Sequence, residues 1–94
     1  MRVYISGPMT GLPDLNYPAF RTEATLWRAN GHEAVNPAEL EGPDDEAWEW
    51  YLKRDLKALL DCDAVVLLPG WEASRGANLE VHVARALGME VIEP

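Results

Sequence analysis

The stretch Asp61 to Gly88, DCDAVVLLPGWEASRGANLEVHVARALG, decides the fold. Val65, Val66, Leu67 and Leu68 form an apolar run without polar alternation, the pattern of a strand covered on both faces in a parallel sheet. A loop bearing Gly70 and Trp71 follows. A helix then runs from about Gly76 to Leu87, with Ser74, Gly76, Asn78 and Glu80 at or near its first turns and Gly88 closing it. In open α/β sheets, the loop after such a strand and the N-terminus of the next helix border the crevice that takes anionic or nucleotide ligands. Glu80 and Asp63 are therefore the candidates for chemistry there. Taken singly, an acid near a helix start is more often a solvated partner of the macrodipole, and Asp63 a strand flank.

Working outward, Arg2 to Ser6 (RVYIS) reads as a first strand, broken by Gly7-Pro8. The following GPMTGLPDLNY is too rich in Gly and Pro for regular structure and long for a βα connection. It marks a binding loop in which Gly7, Pro8, Met9 and Thr10, with Ser6 at the strand end before them, are candidate substrate contacts. Phe20, Ala24 and Trp27 recur at helical spacing from Pro18 to about Ala29. HEAVNP supplies a short second strand, and ELEGPDDE an acidic, lid-like loop in which Asp44 or Asp45 can cap the next helix. That helix runs from about Glu46 to Leu60. Trp48, Leu52, Leu56 and Leu59 form its apolar stripe, Lys53, Arg54 and Lys57 face water, and Trp50 and Tyr51 lie off the stripe. Met89 to Ile92 is a fourth strand. The order βαβαβαβ predicts a small doubly wound parallel sheet, flavodoxin-like or Rossmann-like, with four strands in order 2-1-3-4 and three helices. The loops after Ser6 and Leu68 then face each other at the switch point.

Composition limits the functions available. Ninety-four residues suit one domain, 1–94, with one modest core. Eight basic against sixteen acidic side chains, a net charge of −8, argue against a nucleic-acid or anionic-membrane partner. The single Cys62 cannot form an internal disulfide, and no apolar run nears the roughly 20 residues of a membrane-spanning helix, so a soluble, cytoplasmic protein is expected. His32 and His82 have no acid or cysteine at ligand spacing, so no metal site is expected. There is no Walker loop, G-x-G-x-x-G or G-x-S-x-G, and no cofactor is expected.

Together the motifs YISGPMTG, NPAE, CDAVVLLPGW and SRGANLEVHVARALG, in this order over nearly the whole chain, resemble the nucleoside 2-deoxyribosyltransferases and the related 2'-deoxynucleoside 5'-phosphate N-hydrolases, most nearly the short DUF4406-type domains. The resemblance implies that Glu80 is the nucleophile, that Asp63 protonates or positions the departing base, and that Tyr4 holds the nucleophile. Ser74 stands where the transferases carry an aspartate, as in the N-hydrolases, which use a serine on the 5'-phosphate. With Arg75, Gly76 and Asn78 it would favour an anionic nucleotide. The first loop, however, has Thr10 where a hydrolase phosphate clamp would carry arginine.

The implied reaction is cleavage of the N-glycosidic bond of a (deoxy)nucleoside monophosphate through a glycosyl-glutamate, with two carboxyl groups roughly 5 to 6 Å apart if both act on one bond. The alternatives are a base-exchanging transferase and a non-catalytic nucleotide-binding or interaction module of phage or bacterial origin. Family enzymes complete the pocket from further along the chain, across a dimer. For a chain closing at Pro94 the expectation is either a homodimer or higher homo-oligomer with a partner's segment, such as its 37-to-50 loop, at the site, or a domain that binds a nucleotide without turning it over efficiently.

Overall fold

The computed structural model describes residues Met1–Pro94. Strands β1 (Arg2–Ser6), β2 (Glu33–Val35), β3 (Ala64–Leu67) and β4 (Glu90–Ile92) alternate with helices α1 (Tyr17–Ala29), α2 (Trp48–Leu60) and α3 (Arg75–Ala86). The sheet is fully parallel in the order β2-β1-β3-β4, as the alternation of strand and helix patterns predicts. No helix is long and apolar enough to cross a membrane.

The two faces of the sheet are sorted by the period of the strands. In β1, Val3 and Ile5 point to one side, where Phe20 and Ala24 of α1 cover them together with Ala64, Val66 and Leu68. Tyr4 points to the other side, into a second cluster with Val65, Leu67, Leu59 of α2 and Val81 and Ala84 of α3. Successive side chains of one strand thus serve two cores. Strand β3 is covered on both faces, which is why AVVL shows no alternation: all four residues are buried.

The start of α2 and the exposure of Arg54 differ from the sequence reading. Helix α2 begins at Trp48 rather than Glu46, with Ala47 at its N-cap and no side chain capping it. The Tyr51 hydroxyl reaches back over the loop, donating to the Pro43 carbonyl and accepting from the Glu46 N–H at 3.3 Å. This holds the Asp44 and Asp45 segment out of helical register. Arg54, expected to face water, is mostly covered, its side chain 22% exposed.

In the loop after β1, Asp14, Leu15 and Asn16 all have positive φ, 52°, 52° and 61°. Each such non-glycine residue costs about 1–2 kcal/mol. Asn16 offsets part of this by donating from Nδ2 to the Pro8 carbonyl at 2.9 Å.

The β1 and β3 ends are in direct contact. The Leu68 N–H donates to the Ser6 carbonyl at 2.8 Å, extending the ladder past β3. Gly7 is required beside it, because a Cβ there would sit 2.7 Å from Leu68 Cβ. We expect Gly7→Ala to cost about 1–3 kcal/mol, as overpacking against a strand end does, read as a lower urea midpoint. An unchanged midpoint would show that the junction is loose.

Candidate active site

The carboxylate of Glu80 lies at the centre of the site. In α3 the buried positions are Ala77, Glu80, Val81 and Ala84, so an ionisable side chain occupies the apolar stripe of an otherwise ordinary amphipathic helix. Residue 80 is only 6% exposed. The alternation that sends Tyr4 toward α3 sends Ser6 there as well, and both are buried. The Tyr4 hydroxyl donates to Glu80 Oε2 at 2.5 Å and the Ser6 hydroxyl to Oε1 at 2.7 Å. Each carboxylate oxygen therefore has its own donor, delivered from one strand.

Burial pushes the Glu80 carboxyl up to about 7. The bonds from Tyr4 and Ser6 oppose the rise, and the negative charge of Asp55 adds to it. Burial also raises the Tyr4 phenol well above its ordinary value, with the charges of Glu80 and Asp55 in the same direction. Tyr4 is thus a fixed donor, not a base.

A cleft of about 570 Å³ opens over Glu80. Its walls are Gly7, Met9, Thr10 and Leu15 from the loop after β1, Pro37 to Asp44 from the segment after β2, Trp48, Tyr51, Leu52, Arg54 and Asp55 from α2, and Gly76 at the start of α3. Two further carboxyl groups line this space, the exposed Asp44 and the more deeply placed Asp55. The Asp55 side chain is 17% exposed, and burial raises its pKa against the opposing hydrogen bond and charge of Arg54.

Asp63 is elsewhere. It flanks the N-terminal end of β3, exposed, where its Oδ2 accepts from the Arg2 backbone N–H at 2.8 Å and it borders a shallow depression with Asp61 and Glu33. The expected pairing of Asp63 with Glu80 is not formed. In a parallel sheet the N-terminal and C-terminal strand ends lie on opposite edges, and the five residues from Asp63 to Leu68 span roughly 16 Å. The signal that could have found Asp55 was present: it lies three residues after Leu52 and four before Leu59, on the stripe itself.

The loop after β3 also behaves differently from expectation. It folds into a 3₁₀ turn, Trp71–Ala73, with Gly70 against Pro8 and the Trp71 ring packed on the second core. Gly70, Trp71 and Pro8 support the site from behind; they do not line it. Ser74 caps α3, its Oγ accepting from the Ala77 N–H at 3.1 Å. Asn78 donates to the carbonyls of Glu72 and Ser74. The Arg75 guanidinium lies 4.2 Å from the centre of the Trp48 ring. This chain's own Pro37 to Asp44 segment lines the cleft, and Tyr51, read from the sequence as off the stripe, faces it.

Residues 1–93 match the model of the family described as Domain of unknown function (DUF4406). The chain belongs to this family. Among solved structures it is similar to a 2-desoxiribosyltransferase from Leishmania mexicana, with a TM-score of 0.75 and 19% identity over 98% of this chain. It is also similar to a 2-deoxyribosyltransferase from Bacillus psychrosaccharolyticus, with a TM-score of 0.79 and 20% identity over 99% of this chain. At such identities the likeness establishes the fold. The DUF4406 chain spans 62% of the length of the Leishmania enzyme and 71% of the Bacillus enzyme. No curated protein matches it.

The burial of Glu80 has a measurable consequence. A carboxyl group that titrates near 7 in the folded chain and near 4.5 when unfolded stabilises the fold in its protonated form, and that contribution is lost as pH rises toward 7. The gap corresponds to about 3 kcal/mol at about 1.4 kcal/mol per pH unit. Chemical denaturation at a series of pH values should show the wild type losing about this much between about pH 4 and about pH 8 relative to Glu80→Gln. Parallel curves for the two proteins would mean that Glu80 ionises normally.

Proposed function

We propose that this protein cleaves the N-glycosidic bond of a nucleoside through a covalent glycosyl-Glu80 intermediate, with Asp55 as the acid that assists the departing base. The observation that carries this reading is a buried carboxylate held at both oxygens by Tyr4 and Ser6 and open only toward the cleft, with a second carboxyl group in the same cleft. N-glycoside cleavage builds positive charge at C1', and a fixed carboxylate below that carbon stabilises and then captures it. The bond to the base breaks with its electron pair leaving on the base, which takes a proton from Asp55. The burial that raises the pKa of Asp55 suits that task. Water then releases the sugar, or a second base takes it from Glu80. Transfer is the outcome that the likeness to two 2-deoxyribosyltransferases favours.

The charge lining the cleft favours a neutral nucleoside. Asp44, Asp55 and Glu80 face it, and Arg54, the single basic residue among its walls, is already bound to Asp55. A nucleoside monophosphate is the second reading, supported by the start of α3, where Gly76 borders the cleft behind the Ser74 cap.

Purified protein incubated with deoxynucleosides, or with their 5'-monophosphates, is expected to release free base. Glu80→Ala should reduce the rate by at least about a thousandfold while the fold is retained, since the capturing group itself is gone. A labelled second base separates exchange from hydrolysis. Absence of release from every common nucleoside and nucleotide would refute the assignment.

A further inference from the structure

Arg54 links Asp55 directly to the backbone of the cleft wall. Its Nε and Nη2 donate to Asp55 Oδ1 at 3.0 and 2.9 Å. The same guanidinium donates through Nη1 to the Leu40 carbonyl at 3.2 Å and through Nη2 to the Pro37 carbonyl at 3.4 Å. It also lies 5.3 Å from the centre of the Tyr51 ring, whose hydroxyl holds Pro43. Gly42 packs so closely on Trp50 that a Cβ would fall 2.7 Å from the indole. The 37-to-46 segment is therefore fastened to α2 chiefly through Arg54, Tyr51 and Trp50, and it forms one wall of the cleft.

We infer that Arg54 is a positioning residue coupling closure of the 37-to-46 wall to the charge on Asp55. The inference rests on the proposed role of Asp55 as acid. A guanidinium is a rigid, always charged fork, and its donors are shared here between a carboxylate on its own helix and carbonyls across the cleft wall. While Asp55 is ionised, the guanidinium is oriented by it and presents its remaining donors to Pro37 and Leu40. When Asp55 is protonated the ionic anchor is lost, and the fork is held by neutral carbonyls alone. By reciprocity, a closed wall holds Arg54 on Asp55 and favours its carboxylate, whereas an open wall favours the acid. The other groups able to influence Asp55 are Glu80 on α3, Tyr4 on β1, Tyr51 on α2 and Asp44 on the wall. Glu80 and Asp44 carry negative charge when ionised, so Arg54 is the one cation that opposes them in the cleft.

The coupling has readouts that need no substrate. Native-state digestion with a glutamate-specific protease probes wall opening at Glu41 and Glu46, and carboxyl-carbon NMR follows the titration of Asp55. Asp55→Asn is expected to speed cleavage at these sites by about tenfold, the scale of a typical coupling between sites. Arg54→Gln should do the same and also move the Asp55 titration up by at least about one pH unit, because an opposite charge has been removed from beside it. Arg54→Lys keeps the charge and loses the fork, so the titration should move less while the wall still opens. Cleavage unaltered in Asp55→Asn, or an Asp55 titration unaltered in Arg54→Gln, would overturn the inference. Thermal melts confirm that each variant is folded. If the coupling appears but no base is released, the enzymatic reading fails and the positioning role stands. If base is released with a pH profile that Arg54→Gln does not shift, the reverse holds.

Discussion

The site depends on keeping one carboxylate inside a hydrophobic interface. Glu80 occupies a stripe position where Ala77, Val81 and Ala84 bury apolar surface, and it is tolerated there because β1 brings two hydroxyls to its two oxygens. A buried acid without such partners would cost several kcal/mol or be displaced to solvent. With them it remains a group poised near neutrality, able to change its charge there. Every buried side-chain polar atom in the chain has a partner. The raised pKa of Glu80 therefore reflects desolvation by its surroundings, without any packing defect.

The same geometry explains why the sheet is organised as it is. A parallel sheet with both faces covered lets one central strand serve two cores, so that Val3 and Ile5 anchor α1 while Tyr4 and Ser6 address α3. The register of β1 against β3, Tyr4 beside Val65 and Ser6 beside Leu67, sets the height at which those hydroxyls meet α3. A shift of one residue would turn both hydroxyls to the opposite face. The geometry of the Glu80 site and the hydrophobic register are the same constraint here. Gly7 follows immediately because the chain must pass Leu68 at a distance that no side chain permits.

Acidic character is the other organising feature. Sixteen acidic side chains against eight basic ones leave few cations to spare, and those near the cleft are committed: Arg54 to Asp55 and the wall, Arg75 to the face of Trp48. A cleft of this kind is electrostatically suited to a substrate that becomes cationic at its transition state, as an oxocarbenium-like sugar does. It repels a substrate that arrives with negative charge, unless the N-terminus of α3 compensates.

The attention to Tyr4 came from the resemblance of YISGPMTG to a known family, whereas the strand and helix periods, the glycines and prolines between them and the alternation of elements were sufficient, without coordinates, for the order β2-β1-β3-β4 and for placing Glu80 near the start of α3. These are local or topological properties, set by hydrogen-bonding period and by the connection rules for parallel strands. Which carboxylate accompanies Glu80 was decided only by the tertiary structure. Asp63 flanks β3 and Asp55 lies within α2, and an apolar run says where a strand is without saying which of its ends faces a given side chain. Asp63 projects at the sheet edge away from the cleft, while Asp55 sits on the inward stripe of α2, held there by Arg54. The burial of Arg54 likewise depends on a loop, Pro37 to Asp44, that no periodicity specifies. Its path is set by Tyr51, Trp50 and two backbone carbonyls that meet only when the chain has folded.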